Sequence, residues 1–140
     1  HALATSLLSN VEHVWFVDLN PQNRSFVKQR SIQLGVEDKI SVHRDLQSTS
    51  KVIFDSIICL DVLEHLPDPS KQLEIFLKNL SPEGVALMNW YFYKGDKGEY
   101  PFHFDDKDMI EKFFTTLQFN YIEVFHPFLI TTRAYKPLKK

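Results

Sequence analysis

Asp61, Glu64 and His65 follow the apolar run Ile57-Ile58-Cys59-Leu60 within the stretch Phe54 to Pro69, which reads FDSIICLDVLEHLPDP. The run has the profile of a buried parallel strand, and its carboxyl end breaks abruptly into charge. Open α/β sheets bind their ligands in the crevice at such strand ends. If the connection is a helical turn, spacings of three and four place the three side chains on one face. Two carboxylates and an imidazole suit a divalent metal. Structural support of the turn by Glu64 and His65 is the competing reading.

Two further carboxylates occupy equivalent places. Asp18 closes HVWFVDL and Asp45 follows KISVH, so three consecutive candidate strands end in an Asp on one edge of a parallel sheet. An Asp at the end of the second strand of a Rossmann-like sheet accepts hydrogen bonds from ribose hydroxyls. A vicinal diol offers two donors, and an ionised carboxylate has two oxygens to meet them. An Asp after the next strand is placed to accept from an adenine amine. Loop caps and turns also favour Asp, which is the bland account of each residue taken singly. His103 adds an imidazole that titrates near neutral pH and so could take a substrate proton. It could equally pack beside the aromatic stretch Tyr91 to Phe104, which reads as a substrate lip or as a folded-back lid core.

The elements that must carry these residues alternate. His1 to Ser9 reads as the last turns of a helix, and His13 to Leu19 as a strand. Asn20 caps and Pro21 opens a helix to Leu34, which Gly35 ends. Strands follow at Lys39 to His43 and Lys51 to Leu60. A helix spans Ser70 to Leu80 with Leu73, Phe76, Leu77 and Leu80 on one face. Ser81-Pro82-Glu83-Gly84 signals a tight turn before a strand from Val85 to Trp90. Asp105 or Asp106 opens a helix to about Leu117, with Ile110, Phe113 and Phe114 inward. Strands at Phe119 to Phe125 and Leu129 to Tyr135 close the chain as an antiparallel pair. Alternation of this kind implies an α/β fold, a mostly parallel sheet with helices on both faces.

Bulk composition narrows the classes. The chain has 140 residues, the size of one domain, and 44% hydrophobic against 24% charged residues, as in soluble globular proteins. A net charge of -2 gives no reason to expect nucleic acid. The single cysteine excludes an internal disulfide framework. No apolar run of about 18 residues predicts a membrane span, and no basic segment precedes a hydrophobic one as in a secretory signal. The expected address is the cytoplasm.

The runs VWFVDLNP, SVHRDL, FDSIICLDVLEHLPDP and LSPEGVALMNW, with the closing hairpin, resemble a class I S-adenosylmethionine-dependent methyltransferase. They are most similar to small-molecule methyltransferases with a VLEHLPDP-type signature. The resemblance covers nearly the whole chain and implies a Rossmann-like three-layer sandwich over residues 1–140 as one domain. It implies methyl transfer to an oxygen or nitrogen of a small molecule, with S-adenosylmethionine as cofactor. Asp18 with Leu19 would bind ribose, Asp45 with Leu46 would border adenine, and Leu60, Asp61 and Val62 would line the methionine end. His103, or else His65, would handle the proton. Some families with this signature, ubiquinone-pathway O-methyltransferases among them, use the residues corresponding to Asp61, Glu64 and His65 as magnesium or manganese ligands. Most relatives use that turn structurally, so no metal is the first expectation. A homo-oligomer is compatible with the resemblance.

The family's glycine-rich loop, an acidic residue followed by GxGxG after the first strand, has no counterpart among the 140 residues. The expectation is a chain that begins just after that loop, without the first, central strand. Two rival readings follow: a non-catalytic methyltransferase-like module, and an NAD-dependent oxidoreductase, since Asp18 also suits a dinucleotide ribose. The closing hairpin and DVLEHLPDP argue against the second.

Overall fold

A computed structural model describes residues 1–46, 52–126 and 131–138. The chain divides into two compact units, residues 1–50 and 51–140.

In the first unit α1 (Ala2–Ser6) precedes β1 (Val14–Val17), α2 (Pro21–Leu34) and β2 (Ile40–His43). β1 and β2 pair in parallel from Val14 opposite Ile40 to Val17 opposite His43. Side chains alternate across a strand. One face therefore presents Val14, Phe16, Ile40 and Val42, which pack with Val27, Val36, Leu3 and Leu34. The ends of α2 follow from local chemistry. Asn20 Oδ1 accepts from the Gln22 N–H at 2.8 Å, and Pro21 spends no donor in the first turn. Gly35 takes the left-handed φ of 66° that closes the helix, with its N–H on Ile32 O and that of Val36 on Ser31 O. The buried side of α2 is Val27 and Ser31 rather than an apolar stripe; Phe26 and Ile32 are each 63% exposed. α1 stops at Ser6, earlier than the sequence suggests, with Leu7 and Leu8 exposed.

In the second unit β3 (Phe54–Cys59), α3 (Pro69–Asn79), β4 (Leu80–Met88), α4 (Lys107–Asn120), β5 (Tyr121–Phe125) and β6 (Arg133–Pro137) build a four-stranded sheet in the order β3-β4-β6-β5. β3 and β4 are parallel, and β6 runs antiparallel to both β4 and β5. Asp68 caps α3 through the Lys71 N–H, and Asp106 caps α4 through the Met109 N–H. α3 buries Leu73 and Phe76, and α4 buries Phe113 and Leu117. The Tyr121 hydroxyl ties the start of β5 to α3 by donating to Leu73 O at 2.7 Å.

Two local expectations differ. The Ser81-Pro82-Glu83-Gly84 turn lies inside β4, where Phe54 faces Leu80 but Ser56 already faces Val85, so the turn residues leave the ladder as an irregularity. A Cβ on Gly84 would meet the Leu80 side chain at 2.7 Å and Ser81 O at 3.0 Å. β3 is less buried than its apolar run implies. It is an edge strand of its sheet, and Ile58 is 47% exposed. The starts of the strands expected from Lys51 and Leu129 lie outside the described residues.

Candidate functional site

The carboxyl ends of β3 and β4 carry the richest chemistry. Asp61 follows β3 with φ of 53°, the one positive value at a non-glycine position among the described residues. That conformation costs an ordinary L-residue about 1–2 kcal/mol and is tolerated best by Asn and Asp. Its N–H donates to Asn89 Oδ1 at 2.7 Å, and Asn89 Nδ2 donates to Asp61 Oδ1 at 2.8 Å. A single 3-10 turn, Leu63–His65, comes next and turns Leu63 and Glu64 inward, at 0% and 2% exposure.

The loop 91–104 folds back on this turn. Phe104 N–H donates to Glu64 O at 2.8 Å, and His65 Nδ1 lies 3.2 Å from Phe102 O. His103 Nδ1 lies 3.2 Å from Tyr93 O. The His65 and His103 rings meet edge to face at 4.7 Å, and Tyr100 stacks on His103 at 5.1 Å. Each Nδ1 is directed at a carbonyl oxygen, which only a proton can bridge, so in a neutral ring Nε2 is the atom with the lone pair. Glu64 Oε2 is buried without a hydrogen-bond partner. One ligand atom each from Glu64, His65 and His103 lie within 4.8 Å of one another. A cavity of about 360 Å³ opens beside them, lined also by Asp61, Asn89 and Tyr91. Phe102 is 80% exposed, and Tyr91, Tyr93 and Tyr100 are also exposed, so the aromatic stretch is an open lip. Tyr93 donates to Asp96, and Lys94 pairs with Asp105 at 3.2 Å, which hold the lip in shape.

Cys59, at the end of β3, has its thiol pushed up to about 12 by burial first and by the Glu64 charge second. In the first unit, Asp18 Oδ1 accepts from the Asn20 N–H at 2.7 Å and Oδ2 from Asn23 Nδ2 at 2.9 Å. Arg24 donates to the carbonyls of Asp18 and Leu19, and Asp18 N–H donates to His43 O. Leu19 is exposed, and Asp45 and Leu46 sit half-buried just past β2.

The structure thus brings His65, Glu64 and His103 together, although His65 and His103 stand 38 positions apart in sequence. The trio grouped by spacing, Asp61, Glu64 and His65, differs in one member from the trio whose ligand atoms converge. Asp61 bonds Asn89, and His103 completes the cluster. Asn89 carried no sequence signal as a site residue, because the contacts that define it join distant segments.

Residues 3–120 match the sequence profile of a family described as a methyltransferase domain. The chain belongs to that family. Among curated relatives of the methyltransferase domain, the ubiquinone biosynthesis O-methyltransferase of Xylella fastidiosa (strain 9a5c) is 30% identical over 89 residues, 62% of this chain and 36% of the relative. The tRNA U34 carboxymethyltransferase of Sulfurimonas denitrificans is 39% identical over 44 residues, 31% of this chain and 15% of that protein. The chain therefore spans about a third or less of the length of these curated relatives. Among solved structures, the N-methyltransferase NodS of Bradyrhizobium japonicum WM9 in complex with S-adenosyl-L-homocysteine aligns with TM-score 0.68 at 18% identity, covering 96% of this chain and 72% of that one. That likeness shows the fold: mixed α/β, mostly parallel and Rossmann-like, as in class I S-adenosylmethionine-dependent methyltransferases. Among the described residues no helix is long and apolar enough to cross a membrane.

Proposed function

We propose that this methyltransferase domain transfers a methyl group from S-adenosylmethionine to an oxygen or nitrogen of a small molecule, with His103 receiving the acceptor's proton. The observation that carries the reading is the His103 imidazole. Its Nδ1 is held by the Tyr93 carbonyl, and its ring lies on a cavity walled by Tyr91 and Tyr100. A neutral imidazole held through Nδ1 keeps Nε2 as the base atom for a nucleophile bound in that cavity. The cofactor's sulfonium supplies an electrophilic methyl group when bound, so the chain's remaining task is to hold the acceptor in line.

The donor sets suit this cofactor. In the first unit, the Asp18 carboxylate is fixed by Asn20 and Asn23, and each oxygen keeps acceptor capacity for a ribose hydroxyl. Leu19, Asp45 and Leu46 are offered as its neighbours toward the adenosine. In the second unit Leu60, Asp61 and Val62 form the strand end offered to the methionine portion. Net charge of -2 favours a small acceptor over nucleic acid.

A second reading rests on the buried, unpartnered Glu64 Oε2. Glu64, His65 and His103 would hold a divalent cation, which would supply Lewis acidity toward an acceptor oxygen. Two imidazoles with one carboxylate suit a first-row ion such as Mn²⁺ or Zn²⁺ better than Mg²⁺. A ligated His103 could not also take a proton, so the two roles exclude each other.

Calorimetric titration of the full-length protein with S-adenosylhomocysteine and with NAD tests the assignment. Binding of S-adenosylhomocysteine alone supports it. Binding of NAD points to an oxidoreductase, and binding of neither points to a non-catalytic module.

A further inference from the structure

We propose that Asn89 is a positioning residue that sets the turn carrying Glu64 and His65, an inference that rests on the methyltransferase reading above for its consequence in binding. Asn89 follows β4 and reaches across to the end of β3. Its carboxamide meets Asp61 twice, accepting the Asp61 N–H at 2.7 Å and donating to Asp61 Oδ1 at 2.8 Å. Its own N–H donates to Cys59 O at 3.3 Å. An amide is the one common side chain that offers an acceptor and a donor at this spacing, so both atoms of its head are used in one fixed orientation.

The hydrogen bonds bear on the residue with the unusual backbone. Asp61 stands at φ of 53°, and the chain turns there from β3 into Val62 and the Leu63–His65 turn. Rotating Asp61 back to the ordinary right-handed region would redirect everything after it. Glu64, at 2% exposure, and His65, with Nδ1 on Phe102 O, sit three and four residues downstream. Asn89 and Asp61 both line the same cavity as His65 and His103. The amide therefore fixes the direction of the site's turn without providing its chemistry.

The pairing can be reversed. In Asn89→Asp two carboxylates face each other across the pair. In the exchange Asp61→Asn with Asn89→Asp, the new Asp accepts the residue 61 N–H, and the new Asn side chain donates to its second oxygen. Both variants are compared with wild type in the full-length protein by imidazole NMR of His65 and by calorimetry with S-adenosylhomocysteine. The His65 ring resonances are expected to shift in Asn89→Asp and to return in the exchange. Affinity for S-adenosylhomocysteine is expected to fall by about tenfold in the single variant. His65 resonances unmoved in Asn89→Asp, or not restored by the exchange, overturn the positioning role. Wild type that fails to bind S-adenosylhomocysteine overturns the methyltransferase reading instead, and the NMR comparison still decides the role of Asn89.

Discussion

The His65 and His103 rings meet edge to face at 4.7 Å, each with Nδ1 directed at a backbone carbonyl oxygen of the loop 91–104. The two imidazoles share a tautomer but not a setting, since Tyr100 stacks on His103 alone. A general base contributes about 10²–10⁴ in rate. His103→Gln should therefore lower kcat by about that factor while leaving S-adenosylhomocysteine affinity unchanged. Initial rates on a panel of phenols and primary amines, read as S-adenosylhomocysteine released, make the comparison. Wild-type kcat in His103→Gln would remove the base assignment.

Glu64 separates the cation reading from a structural one. A carboxyl group at 2% exposure with an unpartnered oxygen has lost hydration that no hydrogen bond replaces. A cation binding only the folded state would raise stability by about 2.7 kcal/mol at a hundredfold excess over Kd. Mn²⁺ or Zn²⁺ should thus raise the thermal midpoint of the wild type and leave Glu64→Gln unmoved. Equal midpoints in the wild type with and without the ion would discard the cation, and the neutral variant would then be no less stable than the parent.

Much of the architecture was legible because its signals are local. Asn20, Pro21 and Gly35 bound α2, and Asp106 caps α4, each by a contact within a few residues. The strand-end carboxylates were legible for the same reason. What sequence hid depends on pairs far apart in the chain: Asn89 with Asp61, Phe104 with Glu64, His65 with Phe102. The left-handed backbone of Asp61 was equally hidden, since Asp tolerates that region without requiring it. Turn chemistry misled at Ser81 to Gly84, where the residues bulge out of β4 rather than separate two elements.

Asp18 holds its own loop before it holds any ligand. Its oxygens accept from Asn20 N–H and Asn23 Nδ2, so Asp18→Ala removes two hydrogen bonds to a carboxylate. Such bonds contribute about 1.5–3 kcal/mol each where buried, and less in this exposed loop. Asp18→Asn keeps an acceptor for the Asn20 N–H and should fold nearly as well as wild type. If the carboxylate also meets the ribose hydroxyls, both variants lose at least about tenfold in S-adenosylhomocysteine affinity, because the amide presents one acceptor oxygen where the diol needs two. Calorimetry beside thermal melts separates the effects. Unchanged affinity in Asp18→Asn would end the ribose assignment.

Core packing gives a prediction free of any functional reading. Phe113 is fully buried, with its ring against Trp90 at 5.0 Å and Phe92 at 5.0 Å. Those two residues begin the segment that leads into the lip, so the Phe113 ring anchors the start of that segment. Phe113→Ala should cost about 3–5 kcal/mol by chemical denaturation. A loss below about 1 kcal/mol would mean that the cavity collapses freely, contrary to close packing.

Cys59 reports on the same carboxylate from the opposite direction. Burial first, and the Glu64 charge second, raise its thiol from 9.0 to about 12. A group whose folded value is raised contributes stability that is complete below its unfolded value and is lost as pH climbs toward the folded one. The loss therefore falls between about pH 9 and pH 12, with no contribution of Cys59 to acid unfolding. Because the thiolate is the reactive form, the native thiol should resist a disulfide reagent at pH 8 and react only when denaturant exposes it. Glu64→Gln removes the second cause and leaves the first. Labelling of the native variant should thus begin at lower pH than in wild type while staying slow at pH 8. An identical pH profile in the two proteins would show that the Glu64 carboxylate carries no charge beside β3, and would weaken the case for a cation there as well.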